Sequence, residues 1–94
     1  MNDLRSSLAE YKVPEHIHDA LVSWVEERNP PGGFLQAVLC NDLKEAFVRA
    51  DETNRNALFE IVTWLYNEAP SSCWGSPECV HGWCGGEYHG RVEF

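Results

Sequence analysis

The chain reads as blocks of apolar residues at helical spacing, parted by short runs rich in Pro, Gly, Asn and Asp: KVP, NPPGG, ADETN and EAPSSCWGSP. In NDLRSSLAEY, Leu4, Leu8 and Tyr11 recur at three- and four-residue steps behind Asn2, a capping residue. This predicts a short N-terminal helix or arm over 1–12. Pro14 then suits a first helical position, where its missing N–H costs nothing. Ile17, Ala20, Leu21, Trp24 and Val25 form one apolar stripe behind it, and NPPGG stops the helix near Asn29.

The next block places Leu35, Val38, Leu39, Leu43, Ala46, Phe47 and Ala50 on one face, with Asn41-Asp42 midway. The apolar spacing runs through that pair, so one helix, straight or bent at the pair, is favoured over a restart. A further helix starts from a cap at Asp51 or Thr53 and ends before Pro70. Leu58, Ile61, Val62 and Leu65 line one side, and Phe59, Trp64 and Tyr66 lie around the rest. A helix apolar nearly all round is normally buried on several sides, which makes it the centre of the fold or a second face for an oligomer. In GSPECVHGWCGG, Ser76 is a cap, Pro77 a first helical residue, Glu78 a favourable first-turn acid and Gly85 a left-handed stop. The tail EYHGRVEF alternates weakly and reads as a short strand or an extended arm, yet no earlier stretch offers a strand partner. The expected class is therefore all-α, a compact bundle of four or five short helices with a short extended C-terminal tail over 85–94.

Ninety-four residues point to a single domain over 1–94. A hydrophobic fraction of 44% with four Trp, three Tyr and four Phe is ample for a core. No apolar run approaches bilayer length. The N-terminus lacks a basic start followed by an apolar stretch, so the expected location is the cytoplasm, with cysteines reduced by default. The formal charge of −8 changes the picture more. It opposes direct binding to nucleic acid or to anionic membranes, both of which need cationic groups. It favours a basic partner.

Candidate chemistry concentrates in SSCWGSPECVHGWCGG. Cys73, Cys79, Cys84 and either His81 or His89 supply enough soft ligands for tetrahedral zinc. The spacing argues against it: no CxxC knuckle exists, and Cys79 and Cys84, five residues apart on one helix, point roughly 140° apart. Small buried thiols packed beside Trp74 and Trp83 are the favoured reading, with zinc, a disulfide and a Cys-His nucleophile as alternatives. No other cofactor is expected. His16 and His18, two apart, fall on different sides of a helix and make no metal pair. PPGG lacks the spacing, the lysine and the preceding strand of a phosphate loop.

Glu15, Asp19 and Glu26 fall within roughly 40° of one another on a helical wheel, opposite the Ile17–Trp24 stripe, and Glu27 extends their charge. A plain solvated face is the bland reading. The sharper one is an acidic docking surface that imitates the charge of a nucleic-acid backbone, with Trp64 and Tyr66 as aromatic anchors.

PPGGFLQAVLCNDLKEAFVRAD, NALFEIVTWLYNEAP and CWGSPECVHGW together resemble a family of small proteins encoded in phages and prophages. The resemblance spans Ile17 to Trp83. It implies provenance and a compact fold but no established activity. The extra cysteines and the GGEYHGRVEF tail depart from the family pattern. With the acidity, the resemblance implies a non-enzymatic inhibitor working in the host bacterial cytoplasm. Its expected partner is a basic surface of a host protein or nucleoprotein complex, such as a CRISPR effector. The alternative is a structural or self-associating accessory protein, zinc-stapled or not, with no inhibitory role.

Overall fold

Cap chemistry and left-handed stops divide the chain into short helices more finely than its apolar spacing does. The computed structural model describes residues 4–85, all of whose regular elements are helical. The all-α class stands. The C-terminal tail and Asn2 lie outside the described residues, apart from Gly85.

Helix α1 (Leu4–Glu10) buries Leu8 and the hydroxyl-bearing Ser7. It ends where Lys12 takes φ 65, its N–H donating to the Ala9 carbonyl and that of Val13 to the Leu8 carbonyl. This is the paired-bond stop made by a left-handed residue, and it seats Val13 beside Leu8 in the core. Pro14 sits one residue outside the helix instead of in its first turn, with extended backbone (φ −55, ψ 135).

The second helical segment is a composite: a 3₁₀ turn (Glu15–Ile17), helix α2 (His18–Val22) and a π-helical stretch (Ser23–Glu27). Ile17, Leu21, Val22 and Trp24 are buried from it. Arg28, at φ 62, terminates it. Beyond PPGG, helix α3 (Gly33–Leu39) buries Leu35, Ala37, Val38 and Leu39. A Cβ on Gly33 would lie 2.7 Å from Nη1 of Arg49, so a larger residue there would push the end of that side chain aside.

The expected single helix over 34–50 is instead two. Asn41 takes φ 62 and its N–H bonds the Val38 carbonyl, while that of Asp42 bonds the Ala37 carbonyl. Asp42 then turns from stop to start: its carboxylate accepts from the Glu45 N–H and opens α4 (Leu43–Arg49). Asn is the residue other than Gly that best tolerates this backbone, and Asp among the best caps, so local chemistry overrides the apolar period. The new direction resets the face. Ala46 and Ala50 stay buried, but Leu43 is 68% and Phe47 53% exposed. Asp42→Ala is expected to cost about 0.5–2 kcal/mol by urea denaturation, and Asp42→Asn, which keeps the capping oxygen, far less.

Asp51 caps α5 (Glu52–Asn56) by accepting from the Asn54 N–H at 2.8 Å. The expected single helix to Pro70 breaks at Ala57 (φ −100, ψ 7), and α6 (Leu58–Glu68) follows. Ile61, Trp64 and Leu65 of α6 are buried, and Trp64 donates its Nε1 proton to the Ser7 hydroxyl at 2.7 Å. A 3₁₀ turn (Ser71–Cys73) leads to α7 (Pro77–Trp83), which has the Ser76 cap, the Pro77 start and the left-handed Gly85 that the sequence predicts.

Candidate functional site

Three places merit description as sites: the cysteine corner, the acidic side of the second helical segment and a groove between α4 and α6. In the corner, Cys73 is fully buried and its carbonyl accepts the Nε1 proton of the buried Trp24 at 3.0 Å. Trp83 in turn donates its Nε1 proton to the Trp24 carbonyl at 2.8 Å, and the Arg28 guanidinium lies 4.1 Å over the Trp83 ring. These contacts tie α7 to the π-helical stretch. All four cysteines are free thiols, Cys84 donating to the His81 carbonyl at 3.6 Å. Among the described residues no three His, Cys, Asp or Glu side chains are grouped to hold a metal ion. His89 lies outside the described residues.

Burial pushes the Cys73 thiol from about 9 up to about 11. The thiol is therefore held neutral, and it is a poor nucleophile and a poor metal ligand near neutral pH. The sign of the pH effect follows. Below about 9 the folded and unfolded chains bind this proton equally, so the stabilisation is fully present. Between about 9 and about 11 the unfolded chain loses the proton first, and stability falls as pH rises. The Tyr11 hydroxyl, raised by its 3.0 Å bond to Glu68 and then by burial, adds in the same direction. The urea midpoint should drop over this window, and less so in Cys73→Ala. In the native protein Cys79, the one cysteine of the four that is not buried, should react first with a thiol reagent.

The acidic residues are exposed, as the wheel requires, and they sit on three kinds of helical turn: Glu15 in the 3₁₀ turn, Asp19 in α2, Glu26 and Glu27 in the π-helical stretch. The constant 100° step behind the wheel fails at both ends, because the 3₁₀ turn winds tighter and the π stretch looser than an α-helix. Glu15 and Asp19 share a shallow depression with Arg5, Ala9, Val13 and His18, while Glu26 is not part of it. Asp19 pairs with Arg5, and Glu27 accepts from the Ser23 hydroxyl at 3.2 Å. His18 is half-buried and bonds the Val13 carbonyl through Nε2 at 2.7 Å; His16 is exposed. Local pairing thus takes up part of the charge assigned to this face.

The anchor expected at Trp64 is corrected: its side chain is fully buried, so it packs the core and cannot touch a partner. Tyr66 is 79% exposed and remains suited to contact. So is Phe59, 77% exposed. Phe59, Val62 and Tyr66 recur at three and four residues and form one outward stripe of α6. On α4, Leu43 and Phe47 are four apart and also exposed, with the Arg55 guanidinium 4.8 Å over the Phe47 ring. Between these helices runs an apolar groove of about 60 Å³, lined by Val38, Leu43, Ala46, Leu58, Val62 and Trp74 with Asn41 and Asp42. A cavity of this size falls far below the ~300–1,000 Å³ of small-molecule sites. It suits one aliphatic side chain. The sequence missed the groove because it needs the break at Asn41-Asp42; the signal available was the nearly all-round apolar character of α6.

No family model matches the chain, and neither a curated protein nor a solved structure matches it. Among the described residues, no helix is long and apolar enough to cross a membrane.

Proposed function

We propose that this chain is a non-catalytic inhibitor that binds a basic host protein, and that the exposed apolar face of α4 and α6 is its docking surface. The observation that carries this reading is the groove with Leu43, Phe47, Phe59 and Tyr66 left in water on the helices beside it. Water-exposed aromatics are costly unless another surface covers them. At three-quarters, three-quarters and half exposure, the three aromatics leave on the order of 400 Å² uncovered. Summed, that is about half of what each partner gives to a specific interface.

The charge of −8 supplies the rest: it speeds encounter with a basic surface, and apolar anchors then hold the complex. The resemblance to small phage and prophage proteins sets the reading in a bacterial host, where basic grooves belong to nucleic-acid-handling complexes such as CRISPR effectors. Occupying such a groove blocks nucleic acid without chemistry. The same apolar face supports a second reading, self-association as a structural accessory.

The test is a pull-down from bacterial lysate over a salt series, followed by an activity assay of the captured protein. A nucleic-acid-binding protein should be retained at low salt, released by salt and by competing nucleic acid, and inhibited by added chain. Retention indifferent to salt, or a captured protein whose activity is unchanged, would overturn the reading. Concentration-dependent dimers with no captured protein would favour self-association.

A further inference from the structure

Resting on the reading of α4–α6 as the docking surface, we infer that its occupant is a basic amphipathic helix. That helix places one aliphatic side chain in the groove and a Lys or Arg on Asp42. Three observations converge on this chemistry. The groove is apolar and sized for a single branched aliphatic side chain. The stripe of α6 from Phe59 to Tyr66 spans seven residue steps, about 10 Å or two helical turns, which matches a partner helix presenting anchors at i, i+3 or i+4 and i+7. Asp42 lines the same groove. One of its carboxylate oxygens accepts from the Glu45 N–H at 3.2 Å.

An anionic oxygen at an apolar groove asks for a cation, because a charge covered by a partner without pairing is strongly penalised. A second copy of the chain answers this poorly, since it brings −8 against −8. A basic helix satisfies the groove, the stripe and the carboxylate together. The capping bond also fixes Asp42, so a partner cation meets an oriented acceptor and not a mobile side chain.

The experiment pans a display library of randomised helical peptides against the intact chain and measures the selected peptides by fluorescence polarisation. Enrichment of peptides with an aliphatic anchor and flanking Lys or Arg is expected. Two variants locate the contact. Val62→Asp puts a charge in the groove at a position 38% exposed, and binding should be lost. Asp42→Asn keeps the cap and removes the charge, so binding should weaken by about tenfold or more, the cost of one charge-assisted hydrogen bond. Circular dichroism checks that both variants stay helical.

Enriched peptides that are acidic or uncharged, that bind both variants as tightly as wild type, or that fail to appear at all overturn the inference. So does a dimer of the chain that Val62→Asp dissolves, because the groove would then belong to a second copy. A lysate partner held equally well by Val62→Asp and wild type overturns the inference while leaving the inhibitor reading standing. The absence of any inhibited partner removes that reading instead.

Discussion

Trp24→Ala is expected to remove about 4–8 kcal/mol, on the order of half of the stability of the fold. The side chain is fully buried, and truncating a core Trp costs about 3–5 kcal/mol. Its Nε1–H is also the donor to the buried Cys73 carbonyl, and stranding that acceptor costs about 1–3 kcal/mol more. A domain of this length has only about 5–15 kcal/mol in total. Trp24→Phe separates the two effects, since it keeps most of the ring volume and loses the N–H. It should be destabilised by roughly 1–3 kcal/mol but remain folded. Far-ultraviolet circular dichroism in urea reads both. If Trp24→Ala unfolds at the wild-type midpoint, the Trp24–Cys73–Trp83 junction does not hold the fold together.

That junction shows where the sequence is legible and where it is not. Ser76-Pro77-Glu78 announces α7, and Asp51 announces α5, because a cap acts within three residues and needs no tertiary information. Stops are harder to read. Gly85 is visible as one, but Lys12 and Arg28 take the same left-handed backbone with side chains that carry no such signal. Lys12 is held there by the core contact of Val13 with Leu8, and Arg28 by its place over Trp83, both formed only on folding. The π-helical widening at Ser23–Glu27 is equally silent in the sequence, and a uniform wheel does not describe its winding.

Asn41-Asp42 is the instructive case. Both residues carry the right local signal for a stop and a cap, and the apolar period running through them argues for continuity. Two paired backbone bonds and one side-chain cap outweigh a few apolar positions that can be left in water. Leu43 and Phe47 are the positions left, and they become the α4 side of the groove. The site and the misread helix therefore have one origin.

Helix α6 divides the two roles that its apolar sequence blends, and the division gives the largest expected effect on binding. Trp64 faces inward and bonds Ser7, so Trp64→Ala should act on folding, by about 3–5 kcal/mol. Phe59 and Tyr66 face water, so Phe59→Ser with Tyr66→Ser should leave the urea midpoint nearly unchanged, surface changes being worth about 0.5 kcal/mol or less each. On binding the order reverses. Aromatic anchors at an interface are commonly worth about 2 kcal/mol or more each, so the double variant should bind a partner recovered from lysate on the order of a hundredfold or more weakly. The loss should appear in the dissociation rate, with the salt response of association kept, because the charge is untouched. Glu15, Asp19 and Glu26 replaced together by Lys form the opposing arm. If that variant loses the partner while Phe59→Ser/Tyr66→Ser keeps it, the interface lies on the acidic side of the second helical segment and the α4–α6 face is bystander surface.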